Sequence, residues 1–210
     1  DAWATDAIAQ LSAGVTLMSV SEWSLPLERG GIKATVGEYC LSAIGPGPRA
    51  LKHWAAAQAR GLPIAAKLQL GTTWECSAVP FIPAVDNVAQ HLAGVRAAGV
   101  ENLMLGWTLG GHPSPNIAAV GEIFSGGSLA TLAARRHGAA QAAEAVKFWQ
   151  ECSAAFREFP FHGSVVYRAP LQTGPANPLW VAPTGYKSTM VGFPYDDVDG
   201  WRAVYPAPVF

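Results

Sequence analysis

The stretch PIAAKLQL, residues 63–70, decides how the rest of the chain is interpreted. It is short, mainly apolar and preceded by a glycine, which favours a strand of a parallel sheet that is covered on both faces. Lys67 and Gln69 alternate with Leu68 and Leu70. Because successive side chains of a strand point to opposite faces, we expect the two polar residues on one face and the two leucines on the other.

Helix-like and strand-like segments alternate on both sides of this stretch. Each of the three predicted helices ends at or next to a glycine, and the second has prolines at its start, as is typical of helix boundaries. The helix-to-strand turns are short, whereas the segments that follow the strands are long. This alternation predicts βα units in a parallel sheet, with helices at 2–13, 46–61 and 85–99 and strands at 15–23, 63–70 and 101–111.

The last third of the chain has a different character. Residues 139–159 form a long amphipathic pattern that predicts a helix, and SVVYRAP (164–170) is predicted as a fourth strand. We therefore divide the chain into a βα-repeat domain at 1–180 and a Pro-, Gly- and aromatic-rich tail at 181–210, which we expect to pack on that domain.

The predicted fold class is α/β, with parallel βα units. The pattern favours part of a (β/α)8 barrel, and the alternative is a small open α/β domain. Three or four such units make half of an eight-stranded barrel. A half-barrel has open sheet edges and an uncovered apolar interior, so we expect a homo-oligomer or a missing N-terminal half as partner.

Composition narrows the classes of partner. The formal net charge is −1 and only 14% of residues are charged, which argues against nucleic acid and against a membrane surface. No apolar run reaches the roughly 18 residues of a membrane span. Cys40, Cys76 and Cys152 lie far apart with no metal-ligand spacing, so we expect no metal. Their odd number favours reduced thiols and a cytoplasmic setting; the alternatives are one disulfide with a free thiol, and a secreted or periplasmic setting. No GxGxxG or P-loop motif is present, so we expect no cofactor.

Polar and aromatic residues recur where the predicted strands end, at the edge of the sheet where α/β proteins place their sites. Glu22 follows the first strand and Glu75 the second. Two carboxyl groups in one cleft can divide the roles of acid and of base or nucleophile, so we predict both as catalytic. The alternative for Glu22 is a structural role, as a loop cap or as the ion-pair partner of Arg29.

Around this pair, side chains suited to the apolar faces and the hydroxyl groups of sugars predict a carbohydrate site. Each has a structural alternative: a core position for the tryptophans, a carboxylate-neutralised position for the lysine and a turn position for the histidine. The predicted substrate-binding residues are Arg29, Lys67, Gln69, Trp74, Trp107, His112 and Asn116.

Two other groups carry weaker signals. His53 and His91 lie on predicted helices, and we interpret both as structural or surface residues. The acidic residues of PYDDVDGW (194–201) lack the rest of a calcium loop, so we expect them to hold the tail through Arg202 or to cap a turn.

Three strings, SEWSLPLERGG, AKLQLGTTWECSAVPFIP and NLMLGWTLGGHPSPN, together resemble the C-terminal half of bacterial glycoside-hydrolase-like (β/α)8 barrels. The likeness is one of pattern over about residues 1–180 and contains no diagnostic motif. It implies a retaining or inverting carboxylate mechanism at the top of the barrel, with Glu22 and Glu75 at the matching positions.

Three functions follow as hypotheses. The first is a carbohydrate-active hydrolase that cleaves glycosidic bonds with Glu22 and Glu75. The second is a lyase or aldolase in which Lys67 forms a Schiff base. The third is a non-catalytic domain that binds glycan or serves in assembly.

Overall fold

The computed structural model describes most of the chain, with short gaps in the loops and longer ones near the C-terminus. Every helix and strand predicted before residue 160 is present, although most are shorter than predicted. The described residues are 2–37, 39–71, 75, 79, 81–106, 112–168, 181–182, 184–187 and 199–210. Within them lie α1 Ala2–Ala9, β1 Leu17–Val20, β2 Pro26–Arg29, β3 Ile32–Thr35, α2 Pro48–Gln58, β4 Ile64–Lys67, α3 Val85–Ala97, β5 Asn102–Met104, α4 Pro115–Phe124, α5 Leu129–His137, α6 Ala142–Phe156 and α7 Gly163–Arg168.

A three-stranded parallel sheet in the order β1-β4-β5 organises the molecule. Val20 pairs with Lys67, and Lys67 pairs with Met104, so the three strands end level with one another. Because the strands are parallel, their carboxyl ends meet at one edge. The segments that follow β1, β4 and β5 therefore start side by side.

The main hydrophobic core confirms the predicted alternation along 67–70. Leu68 and Leu70 belong to this core, together with residues of α2, α3, α4 and α5. Trp54 of α2 is fixed in it by a hydrogen bond from its indole N–H to the carbonyl of Ala65, at 3.0 Å. Gln69 is also buried, just beyond the end of β4.

The polar, glycine-bearing stretch after β1 forms an antiparallel hairpin of β2 and β3. Its two-residue loop, Gly30-Gly31, has φ angles of 54° and 77°. A tight hairpin turn with positive φ at both central positions strongly favours glycine, so this dipeptide is the sequence signal for the hairpin. The sequence analysis predicts no strand in this polar stretch.

The predicted (β/α)8 barrel is wrong. The described residues contain five strands in total, three in the parallel sheet and two in the hairpin, which are too few for a barrel. A barrel closes with eight parallel strands, whereas the alternation of β and α is common to barrels and open sheets. The alternation of β and α therefore identifies the α/β class, but it does not show whether the sheet closes into a barrel.

The predicted fourth strand at 164–170 is also wrong, because residues Gly163–Arg168 form helix α7. The two valines of this segment favour a strand by propensity, but each is buried against a different part of the protein. Val166 packs in the cluster of the β2–β3 hairpin, and Val165 packs against Tyr205. Tertiary packing of this kind overrides local propensity. Residues 169 and 170 lie outside the described part.

The described end of the tail contacts the rest of the chain through Tyr205. This side chain is 2% exposed, and its hydroxyl donates a hydrogen bond of 2.9 Å to the carbonyl of Phe161. Arg202 forms an ion pair of 2.5 Å with Asp199, one of the tail acids expected to bond to it. The tail's Asp196 and Asp197 lie outside the described residues.

Candidate functional site

The carboxyl ends of β1 and β4 bring three segments of the chain together. Residues 21–22 follow β1, residues 68–70 and 75 follow β4, and residues 39–42 precede α2. The main-chain N–H of Gln69 donates to the carboxyl of Glu22, and that of Leu41 donates to the carboxyl of Glu75. The two predicted catalytic residues are therefore fixed by main-chain groups from two further segments.

Glu22 is completely buried, at 0% exposure. Its Oε1 atom accepts the hydrogen bond from Gln69 N at 2.6 Å, while Oε2 has no hydrogen-bond partner among the described residues. Loss of solvation on burial raises the pKa of Glu22 from 4.5 to about 8; the Gln69 bond opposes this, and the charge of Glu75 adds to it. At neutral pH, Glu22 is consequently an acid that keeps its proton.

Glu75 has the same arrangement in a slightly different setting. It is 1% exposed, and its Oε1 accepts from the Leu41 N–H at 2.5 Å. Within the described part of the chain, nothing bonds to its Oε2. Burial raises the pKa of Glu75 to about 7, against the opposing effect of the main-chain hydrogen bond from Leu41. Glu75 therefore loses its proton at a lower pH than Glu22.

Two buried amide side chains, one on Gln69 and one that bonds to the carbonyl of Leu70, also have unused hydrogen-bonding capacity. Gln69 is 1% exposed, and neither polar atom of its side chain is bonded within the described ranges. Asn116, at 0% exposure, donates from Nδ2 to the carbonyls of Leu70 at 3.2 Å and Ile82 at 2.7 Å, but its Oδ1 has no partner of that kind. Buried polar groups are normally satisfied, so such atoms are characteristic of sites that bind a polar molecule.

The charges of both carboxyl groups affect the pKa of the same thiol, that of Cys40. Burial, followed by the negative charge of Glu75, raises the pKa of this thiol far above its ordinary value, and the charge of Glu22 contributes in the same direction. Cys40 is 1% exposed and bonds to the hydroxyl of Ser42 at 3.2 Å. It is therefore an inert thiol next to the carboxyl pair.

Sequence analysis did not detect the contact between Ser21 and His91. The Ser21 hydroxyl lies 2.6 Å from Nε2 of His91, and both side chains are buried. Burial lowers the pKa of His91 to about 3, so its imidazole is neutral at physiological pH. The contact ties α3 to the segment that carries Glu22, which agrees with the structural role expected for this histidine.

Arg29 lies in the hairpin and bonds to the main chain. Its guanidinium donates to the carbonyls of Phe159 at 3.2 Å, Glu28 at 2.9 Å and Ser42 at 2.9 Å. These bonds join β2 to the ends of two other segments. Arg29 therefore has a structural role, and its contact with substrate remains a prediction.

Lys67 ends β4 with its ammonium nitrogen 5.0 Å from the centre of the Tyr39 ring. This cation–π geometry uses a protonated amine, whereas Schiff-base formation requires the neutral one. Lys67 lies at the sheet edge that carries the carboxyl pair, so a contact with substrate stays a prediction.

The other predicted residues have different outcomes. His112 is exposed and stacks on Phe81, with ring centres 5.5 Å apart, at a separate cleft. Trp74 and Trp107 lie outside the described residues. Among the residues described, there is no group of three or more potential metal ligands of the His, Cys, Asp or Glu type, and no helix has the length and apolar character needed to cross a membrane.

The arrangement can hold one protonated and one ionised carboxyl group at neutral pH. Burial raises the pKa of both groups towards neutrality, to about 8 for Glu22 and about 7 for Glu75, and the charge of Glu75 contributes to the shift of Glu22. Comparison of the chain with protein-family models, with curated proteins and with solved structures gives no match.

Proposed function

We propose that this chain hydrolyses glycosidic bonds, with Glu22 as the general acid and Glu75 as the base or nucleophile. The observation that carries the proposal is the pair of fully buried carboxyl groups, each with one oxygen bonded to a main-chain N–H and one oxygen without a described partner. Glycoside hydrolysis uses two carboxyl groups in these roles.

We assign the acid role to Glu22 because both burial and the charge of Glu75 raise its pKa, whereas the pKa of Glu75 is raised by burial alone. In this assignment Glu22 keeps its proton near neutral pH and Glu75 is ionised. A protonated Glu22 donates to the leaving oxygen, and an ionised Glu75 attacks the sugar carbon or activates water. The negative charge of Glu75 also helps Glu22 to keep its proton before the reaction.

The amide groups near the pair suit a sugar. Gln69 offers a donor and an acceptor, and Asn116 offers an acceptor, all without a hydrogen-bond partner in the described part of the chain. Sugar hydroxyls both donate and accept hydrogen bonds, as these amides do. Glu22 and Glu75 are at most 1% exposed, so a sugar reaches them only after neighbouring groups move aside.

The test compares substrates that differ in how much their leaving group needs a proton. Nitrophenyl glycosides leave as a stable anion, whereas alkyl glycosides require protonation. For Glu22→Gln we expect a loss of at least about 100-fold on alkyl glycosides and a much smaller loss on nitrophenyl glycosides. For Glu75→Gln we expect a loss of about that size or more on both. Glu101→Gln, at an exposed position, is the matched control.

The pH profile supplies a second readout. For the wild-type protein, kcat/KM should rise near pH 7 as Glu75 ionises and fall near pH 8 as Glu22 loses its proton. Glu22→Gln should abolish the fall when nitrophenyl substrates are used. Equal losses on the two kinds of leaving group, or full activity of Glu75→Gln, would show that the pair is not catalytic.

The complete burial of both carboxyl groups favours a second candidate function, that of a domain that binds glycan without cleaving it. In that case Glu22 and Glu75 are structural, and their unbonded oxygens have no chemical task. A protein that binds oligosaccharide, turns over no glycoside and keeps its affinity in the Glu75→Gln variant would support this candidate over the first.

A further inference from the structure

A cleft of about 690 Å³, separate from the carboxyl pair, lies between the loops that precede α3 and α4 and the facing surfaces of α5 and α6. We call it the aromatic cleft. Its volume falls within the range of small-molecule sites, about 300–1,000 Å³. The lining residues that matter here are Phe81, His112, Arg136, His137, Glu144 and Phe148.

The aromatic cleft is connected to the carboxyl pair through Asn116. This side chain donates to the carbonyl of Leu70, which follows Gln69, and to that of Ile82, which follows Phe81. One buried amide therefore holds the wall of the cleft against the segment that bonds to Glu22.

The walls of the cleft offer flat apolar surfaces. Phe81 and His112 stack almost in parallel, with an angle of 6° between their planes, and so form one platform. Phe148 of α6 lines the same cleft and is 58% exposed, which is high for a large apolar side chain. Aromatic faces of this kind suit the apolar faces of sugar rings.

The charges in the cleft disfavour a strongly charged ligand. Arg136 and Glu144 carry opposite formal charges that cancel, and His112 and His137 add donors and acceptors. A site for a phosphate-rich or polyanionic ligand would instead carry an excess of cationic groups. The ligand class that combines flat apolar faces, many hydroxyls and no net charge is a neutral oligosaccharide.

We propose that the aromatic cleft binds the part of a neutral glycan chain that extends beyond the bond positioned at Glu22 and Glu75. Sugar rings stack on Phe148 and on the Phe81–His112 platform, while Arg136 and Glu144 bond to hydroxyls. This inference rests on the proposed function, because it takes the same chain as substrate, but it assigns a separate surface.

The experiment titrates the whole chain with neutral oligosaccharides of two to six units, built on glucose, mannose, xylose or N-acetylglucosamine, by calorimetry. At least one series should show an affinity that increases with length. Phe148→Ala should weaken binding of the longest member about tenfold, equivalent to about 1.4 kcal/mol, and leave the disaccharide unaffected. Trp3→Ala, at a 69% exposed position outside the cleft lining, is the matched control.

His112→Ala gives an independent check, since this residue is exposed and its replacement leaves the core intact. It should weaken the same oligosaccharide in the same length-dependent way. Unchanged affinity in both Phe148→Ala and His112→Ala overturns the proposal, as does a failure of every neutral series to bind. Binding of only charged ligands overturns it too.

The two proposals fail in distinguishable ways. Length-dependent binding that depends on Phe148, in a protein that cleaves no glycoside, removes the catalytic role of Glu22 and Glu75 but retains the aromatic cleft. If glycoside cleavage requires Glu22 but Phe148→Ala has no effect on long substrates, the catalytic role of the pair is supported and the proposed binding role of the aromatic cleft is refuted.

Discussion

Replacement of Glu22 by Gln tests whether burial sets the protonation of the carboxyl pair. The folded protein raises the pKa of Glu22 to about 8 from 4.5. Between these values the folded protein keeps this proton and the unfolded chain has lost it. The unfolded state then binds fewer protons, so the free energy of unfolding falls as the pH rises through this interval. Gln has no proton to lose, so the variant lacks this contribution.

The magnitude follows from the width of the interval. Each pH unit within it costs about 1.4 kcal/mol, so the contribution of Glu22 amounts to about 5 kcal/mol between pH 4.5 and 8. Glu75, whose pKa is raised to about 7, acts in the same direction over a shorter interval. His91, whose pKa is lowered from 6.5 to about 3, acts in the opposite direction below pH 6.5.

The effect of Glu22 is best measured between pH 6.5 and 8.5. Above pH 6.5 His91 is neutral in both the folded and the unfolded state, so its contribution to the free energy of unfolding no longer changes with pH. Urea unfolding followed by tryptophan fluorescence gives the free energy of unfolding at each pH. From pH 6.5 to 8.5 we expect the wild-type protein to lose about 2 kcal/mol more than Glu22→Gln. Near pH 5 the two proteins should be closer in stability, because Gln keeps an oxygen that can accept from Gln69 N–H.

Glu101→Gln serves as the matched control, since Glu101 is exposed and the change is chemically the same. Its pH dependence should follow that of the wild-type protein. If Glu22→Gln also follows the wild-type curve from pH 6.5 to 8.5, burial does not raise the pKa of Glu22, and the assignment of Glu22 as the acid fails with it.

Two further predictions concern the frame that holds the site. Arg29→Met removes the donors to three main-chain carbonyls and should lower the free energy of unfolding by about 2 kcal/mol, with KM unchanged if the role is structural; a raised KM at unchanged stability would instead favour the predicted contact with substrate. Gly47→Ala places its Cβ about 2.4 Å from the carbonyl oxygen of Trp23 and should cost about 2–4 kcal/mol in urea unfolding. Gly121→Ala, in helix α4 with open space around the new Cβ, should instead stabilise by up to about 1 kcal/mol, and equal effects of the two glycine variants would contradict the steric explanation.

Local patterns located α1, α2, α3 and α6 and the three parallel strands, but no predicted helix covers α4 or α5. Helix α2 begins at Pro48 and ends at Gln58, shortly before Gly61, inside the predicted range of 46–61. Such boundaries are predictable because proline and glycine act on the backbone of their own neighbourhood. The hairpin lies outside the predicted strands, in a polar stretch, although its Gly30-Gly31 loop carries the sequence signal for a hairpin.

Contacts between distant segments account for the errors. The valines of α7 pack on the hairpin and on Tyr205, and no local pattern contains these partners. Closure of a sheet into a barrel likewise depends on the number and pairing of strands, which the alternation of β and α does not specify.

The sequence by itself determined that Leu68 and Leu70 face the main core and that Lys67 and Gln69 do not, because the two-residue period of a strand is a local property. It also placed Glu22 and Glu75 after strands. Only the tertiary structure decided that both carboxyl groups are buried, that main-chain donors from other segments hold them, and that their pKa values differ. Solvent exclusion and electrostatic interaction depend on which distant residues surround a group, and folding alone brings those residues together.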